Sequence, residues 1–347
     1  MLDNANPTTT EEPGATRNGV TADETVYVDA IREALHAELT ADPTVYLMGQ
    51  DIGAYGGAFK ITRGFIEEFG GERCFNTPIS EAGTIGIAVG SAMLGRRPVV
   101  EMQFADFVSC GFNQLVNVAA KMYYRMQIPV PLVIRLPGGG GVGAGAFHSQ
   151  NNEAWFTHVP GLKVVAPSTA EDAYTLLRAA IQDPNPVLYF EHKFLYRREK
   201  GTLPIDAPVP SLEHGECRVR REGSDITLVA WGWMVQLALE AADALEAKGI
   251  SAEVIDVRTL VPLDEETIVE SVRKTSRVVI VQEATQTSGF AAEIAARVAD
   301  RAIDRLDAPI RRVTYPDHPV PFHKILEKAA LPSVEKIVAE AESVCSW

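Results

Sequence analysis

The sequence predicts an α/β fold of two successive parallel-sheet domains, each a sheet sandwiched between helical layers. Three observations carry this. Short runs that are apolar on both faces alternate with helical stretches, the pattern of parallel strands covered by crossover helices. The 347 residues exceed what one hydrophobic core usually serves. A proline-containing, non-periodic stretch over 198–215 interrupts the alternation, after which it resumes. The expected division is a disordered tail at 1–23, a first domain at 24–199, a linker at 200–215 and a smaller second domain at 216–347.

Residues 25–40 form a helical pattern with Val28, Ile31, Leu35 and Leu39 on one face. A strand at 44–48, a Gly-rich loop at 51–57 and a helix near 61–69 follow. The stretch 72–107 is the organising element. Its strand at 74–76 is stopped by Thr77 and Pro78, and Ser80 and Glu81 open a helix of Gly, Ala, Ile, Val and Met that ends at Gly95. A helix apolar on all sides is expected to be buried, which sets Glu81 at the wall of a core. Apolar surroundings raise a carboxyl's proton affinity and suit it to proton transfer near neutral pH. An acid in the first turn also offsets the helix dipole, with no catalytic role.

The next strand spans 98–104, followed by a long helix over 107–126, a strand at 130–136 and a glycine loop at 138–145. A strand at 162–165, a helix at 169–182 and a strand at 187–191 complete the first domain. In the second, strands at 225–231, 252–257, 277–282 and 310–314 alternate with helices at 235–248, 264–275 and 289–306. Helices near 325–330 and 334–344 close the chain.

A formal net charge of −14 argues against nucleic acid or an anionic membrane as partner. No apolar run reaches the roughly 20 residues of a membrane span. The tail has acids and no apolar signal core, so a cytoplasmic protein is expected. Cys74, Cys110, Cys217 and Cys345 are far apart and read as buried thiols rather than disulfides or a zinc site.

Several residues are candidates for chemistry. Gly138, Gly140 and Gly143 formally match GxGxxG after an apolar strand. The next strand ends in Val165, Ala166 and Pro167, with no acid for a ribose, so a nicotinamide reading lacks its partner. The alternative is a mobile loop lying close to a ligand. His148 follows that loop and is placed either as a proton donor or as a satisfied hydrogen-bonding residue. Phe107, at a strand-to-helix turn, is either a stacking platform for a ligand or a core aromatic. The remaining histidines show no metal-ligand spacing, and His192, between Glu191 and Lys193, reads as a surface or interface residue.

Taken in order, several motifs resemble one family. They are Asn76-Thr77-Pro78-Ile79-Ser80-Glu81, the run Gln103-Phe104-Ala105-Asp106-Phe107, and Phe147-His148-Ser149-Gln150. They continue with Pro160-Gly161-Leu162-Lys163-Val164-Val165, Leu195-Tyr196-Arg197 and Glu253-Val254-Ile255-Asp256-Val257-Arg258-Thr259. From about Glu24 onward the chain resembles the beta subunit of the decarboxylating component of 2-oxo acid dehydrogenase complexes. The resemblance implies a transketolase-like pyrimidine-binding domain followed by a transketolase C-terminal-like domain. It implies thiamine diphosphate chemistry, with Glu81 on the aminopyrimidine ring nitrogen, Phe107 stacked on that ring and Ile79 lining it. His148 would stand near the reacting carbon and the incoming lipoyl group.

The chain has no Gly-Asp-Gly segment of the kind that holds diphosphate through Mg²⁺. The resemblance therefore implies an alpha subunit that holds the Mg²⁺, in a two-alpha, two-beta tetramer served by a lipoyl-bearing acyltransferase. Some relatives hold a structural K⁺. Val130, Leu132, Val133, Ala180, Asp183 and Asn185 occupy the resembling positions, Val133 standing where some relatives have a hydroxyl residue. The substrate would be a branched-chain 2-oxo acid or pyruvate. Alternatives are an acetoin dehydrogenase beta subunit and a non-catalytic beta-like binding subunit.

Overall fold

The computed structural model describes residues 24–347; the tail expected at 1–23 lies outside the described residues. The first sheet has seven strands, in the order Thr259–Val261, Lys163–Val165, Val187–His192, Val133–Gly138, Arg97–Glu101, Val45–Gly49 and Cys74–Asn76. Six run parallel, and Thr259–Val261 is antiparallel to Lys163–Val165. The second sheet orders Arg311–Tyr315, Val278–Thr285, Ile226–Ala230, Ala252–Asp256 and Arg218–Arg221, the last antiparallel. The central strands are buried along their whole length, as crossover helices on both faces require.

The two sheets are joined more closely than a linker implies. The strand Thr259–Val261 follows Arg258 in the second half yet extends the first sheet, and Ala166 N–H donates to Arg258 O. Arg258, 2% exposed, donates to the buried Asp172 through Nε and Nη2 at 3.0 and 2.8 Å. Arg220 donates to Asp256 of its own sheet through Nε and Nη2 at 3.0 and 2.8 Å, and its Nη2 also donates across to Asp172 of the first domain. Within the expected linker, Lys200–Gly201 pairs with Thr25–Val26.

Four local expectations change. The helix expected over 107–126 is a 3-10 segment at Ala105–Gly111, a π-helical segment at Gln114–Ala119 and an α-helix only at Ala120–Met126. At its start Asn152 Nδ2 donates to Ala105 O at 3.0 Å, which draws that carbonyl away from the helix ladder, and Gln150 Nε2 donates to Asp106 Oδ1 at 2.8 Å. The strand expected from residue 130 begins at Val133, because Pro129 and Pro131 have no N–H for a ladder. The helix Glu81–Met93 is not covered on all sides. Thr84, Ile85, Ala88, Val89 and Ala92 are buried, but Gly83, Ile87, Gly90 and Leu94 make an open face, with Ile87 65% and Leu94 86% exposed. Among the described residues nothing covers that face, which composition alone does not reveal. Cys110 is likewise exposed rather than buried.

Candidate active site

The chemistry-bearing residues of the first domain follow the carboxyl ends of neighbouring strands, where ligands bind in parallel sheets. Glu81 comes after Cys74–Asn76, Phe107 after Arg97–Glu101, His148 after Val133–Gly138 and Lys193 after Val187–His192. The helix headed by Glu81 packs on the 3-10 turn that carries Phe107. Contact there is close: a side chain at Gly111 would lie 2.3 Å from Ile85 Cδ1. Glu81 is half-buried, and Gln50 Nε2 donates to its Oε1 at 3.1 Å. The expected apolar wall around it is thus open: Gln50 is a polar neighbour of the carboxylate, and Ile79, two residues earlier, is 84% accessible.

Phe107 and His148 meet. The His148 ring stands edge-on to Phe107, ring centres 5.5 Å apart, and to Phe104 at 4.5 Å. Asp106 is buried and binds Gln150 by backbone N–H and side-chain amide, which ties the Phe107 turn to the segment carrying His148. Asp106 Oδ2, Ser149 Oγ and Asn152 Oδ1 are buried without a hydrogen-bond partner. Ser149 and Asn152 line a cavity of about 230 Å³ with Trp155, Tyr315 and His318.

Sequence reasoning missed the supports beneath this site. Lys193, 6% exposed, donates Nζ to His148 O and lies 5.1 Å from the centre of the Phe104 ring. Burial lowers its pKa to about 8, against the opposing pull of Asp106, Glu283 and Glu327. The folded value lies below the unfolded one, so unfolding takes up a proton between them and stability rises with pH across roughly 8 to 10.5. From pH 7 to 9.5, wild type should therefore gain about 2 kcal/mol relative to Lys193→Met. Urea unfolding of both proteins at the two pH values checks this; parallel pH profiles would overturn it.

His192 is not at the surface. It is 7% exposed, and its Nε2 lies 2.7 Å from Glu283 Oε2 of the second half. Burial alone would raise the Glu283 carboxyl, but His192, Gly140 N–H and Asn151 outweigh it and hold it low.

The glycine loop is also not an open phosphate cradle. Gly140 N–H donates to Glu283 Oε1 at 2.6 Å, and Gly141 and Gly143 donate to Glu327 Oε1 and Oε2, each at 2.9 Å. These donors already have protein anions, which removes the basis of the dinucleotide reading. The distance along the chain from Gly141 to Glu327 explains why no local sequence signal revealed it.

The site fits one half of a thiamine-type cofactor. It offers a half-buried carboxylate, an aromatic face at Phe107 and an exposed aliphatic at Ile79. That set suits a ring that is apolar on its faces and hydrogen-bonding at its edge. It does not suit a diphosphate: the loop N–H groups are occupied, and the described residues hold no group of three or more His, Cys, Asp or Glu placed for a metal ion. At the positions implied for K⁺, Val130, Leu132, Val133 and Ala180 are buried and apolar. Asp183 there is paired with Lys163 Nζ at 2.5 Å and accepts Asn185 N–H at 2.9 Å, so its charge is already met.

Comparison with known proteins gives the same family. Residues 23–199 match the family described as "Transketolase, pyrimidine binding domain", and residues 215–337 match "Transketolase, C-terminal domain". The chain is 46% identical over 323 residues to pyruvate dehydrogenase E1 component subunit beta-2, mitochondrial, of Oryza sativa subsp. japonica, covering 91% of this chain and 85% of that one. It is 45% identical over 324 residues to 2-oxoisovalerate dehydrogenase subunit beta of Bacillus subtilis, covering 92% and 98%. Among solved structures, a split-gene transketolase described as an inactive beta4 tetramer superposes with a TM-score of 0.73 at 25% identity, covering 92% of this chain and 98% of that one. With a site that fits the pyrimidine half of the cofactor and sequence identity near one half along almost its whole length, this chain belongs to the beta subunits of the thiamine diphosphate-dependent 2-oxo acid dehydrogenases.

Proposed function

We propose that this chain works with an alpha subunit to decarboxylate a 2-oxo acid and to pass the acyl group to a lipoyl-bearing acyltransferase. The observation that carries the reading is the open helix face. Ile87 and Leu94 are apolar and exposed on the face of the helix turned away from the buried Thr84, Ile85 and Ala88, Ile79 is exposed two residues before Glu81, and a monomer has no use for such apolar surface. An alpha subunit seated there would complete the pocket and bring the diphosphate and Mg²⁺ half that this chain lacks. Two copies of each subunit make the expected assembly, in the cytoplasm. Among the described residues no helix is long and apolar enough to cross a membrane.

Thiamine diphosphate, when bound, supplies a carbon nucleophile and an electron sink for losing carbon dioxide from a 2-oxo acid. In this chain Glu81 would hold and move a proton at its carboxylate oxygen. Phe107 would hold the cofactor's aminopyrimidine by stacking, and Ile79 would exclude water from one side. His148, braced by Phe104 and Phe107, supplies a proton at a ring nitrogen as the lipoyl group arrives. A structural K⁺ at Val130, Leu132, Val133, Ala180, Asp183 and Asn185 stays part of the reading, held by oxygens other than the Asp183 carboxylate, which Lys163 already pairs. Pyruvate and the branched-chain 2-oxo acids both remain candidate substrates, matching the names of the two relatives above.

The test is reconstitution. The chain alone should release no carbon dioxide from pyruvate or 3-methyl-2-oxobutanoate. With an alpha subunit, thiamine diphosphate and Mg²⁺ it should release it from at least one of them. A tetramer that forms normally and decarboxylates neither would favour the non-catalytic reading instead.

A further inference from the structure

The glycine loop shows how its own N–H groups are spent. Gly139, Gly141, Gly143 and Gly145 have φ of +82°, +80°, +73° and +74°, left-handed values alternating with ordinary residues. Such alternation turns successive N–H groups towards one side and makes concave anion sites. In phosphate-binding loops the anion is a ligand. Here it is the protein. Glu283, 6% exposed, and Glu327, 2% exposed, both come from the second half of the chain and fill these sites.

The arrangement brackets His148. Glu283 Oε1 takes Gly140 N–H before it and Asn151 Nδ2 after it, each at 2.6 Å. Glu327 straddles Gly141 and Gly143, and the chain then turns from Gly145 O to His148 N–H at 3.3 Å. His192 secures Glu283 from the far side. There is no slack: a side chain at Gly139 would meet His192 Nε2 at 2.1 Å, and one at Gly140 would lie 3.2 Å from Glu327 Oε1. Moving the loop would strip two buried carboxylates of their donors, which is strongly unfavourable.

We propose that Glu283 and Glu327 are positioning residues for His148, clamping the glycine loop from the second domain so that the imidazole keeps its place against Phe104 and Phe107. The proposal rests on the functional reading of His148 given above. In this proposal both carboxylates act through the loop.

Backbone amide exchange resolved to single residues tests the clamp directly, on the full chain assembled with its alpha subunit. In wild type, Gly140, Gly141 and Gly143 should exchange slowly although they lie in a loop. Glu327→Gln sets an amide NH₂ against one of the two N–H groups. It should speed exchange at Gly141 and Gly143 about 10- to 100-fold, the cost of a charged hydrogen bond, and leave Gly140 protected. Glu283→Gln should release Gly140 and spare the other two. Fast exchange at all three glycines in wild type overturns the clamp without any variant, as does unchanged exchange in both variants.

The link to His148 is read separately. Glu327→Gln should lower kcat for lipoyl-dependent turnover about tenfold or more, with KM for the 2-oxo acid little changed, and should add nothing in a His148→Ala background. A full additional loss in that background overturns positioning through His148. If His148→Ala alone has no effect, the role given to His148 fails while the exchange result still stands.

Discussion

Glu81→Ala, assembled with an alpha subunit, thiamine diphosphate and Mg²⁺, is expected to turn over about 10²- to 10⁴-fold more slowly than wild type, the range for losing a positioned proton-transfer group. Assembly and stability should barely change. The side chain is half-buried, and its carboxylate receives one hydrogen bond from Gln50. Its structural share is therefore that of a first-turn acid, about 0.3–1 kcal/mol of helix-dipole compensation. The two readings of Glu81 separate cleanly on this variant. A residue that only offsets the dipole would cost a little stability and no rate. A proton-transfer residue costs rate and little stability. Glu81→Gln keeps the size and drops the charge, so it should fall with Glu81→Ala. The check is steady-state carbon dioxide release beside sedimentation of the assembled protein. Near-normal turnover in either variant would remove Glu81 from the mechanism.

The residues that sequence reasoning picked out lie where local signals are strong. Thr77 and Pro78 stop a strand, Glu81 begins the next helix, and Gly95 at φ +90° ends that segment. Asp264 and Thr169 cap the helices that follow them, accepting from Thr267 and Asp172 N–H. What was lost depends on distant partners. Composition read the helix Glu81–Met93 as buried all round, but burial is set by what packs on it, and the described residues cover one side only. The strand Arg218–Arg221 has no apolar alternation because its arginines reach Asp172, Asp243 and Glu171 instead. Thr259–Val261 is three residues long and pairs with the other domain's sheet. The acids that occupy the glycine loop are Glu283 and Glu327, far along the chain and unremarkable in their own segments. The loop's glycines formally matched a phosphate-binding pattern, and the anions that meet their N–H groups are the protein's own carboxylates.

The stability of the first domain should depend most on a group that no motif announced. Arg135, 1% exposed, donates through Nε and Nη2 to Glu191 at 2.6 and 2.9 Å and through Nη1 to Glu101 at 2.5 Å. Tyr196 OH also donates to Glu191, at 2.6 Å. Glu101 sits opposite Arg135 in the ladder, and Glu191 is opposite Pro137 on the other side. One guanidinium thus serves two buried carboxylates beneath the turns that carry Phe107, the glycine loop and Lys193. Burial pushes the Glu101 carboxyl up, while Arg135 pulls it down.

Arg135→Met keeps the volume and leaves both carboxylates unpaired, so it should cost about 3–5 kcal/mol of unfolding free energy. The sign of its pH dependence follows. Burial already holds the Glu101 carboxyl above its ordinary value, and in the variant, without the pull of Arg135, it rises further, so the folded protein binds more protons and loses stability as pH rises through that window. The deficit relative to wild type should therefore be smaller at pH 5 than at pH 8. Adding Glu101→Leu and Glu191→Leu removes the stranded charges and should recover most of the loss. Urea unfolding of the three proteins at both pH values checks the set. A deficit equal at pH 5 and 8, or undiminished in the triple variant, would mean that lost packing rather than exposed buried charge is what Arg135 prevents.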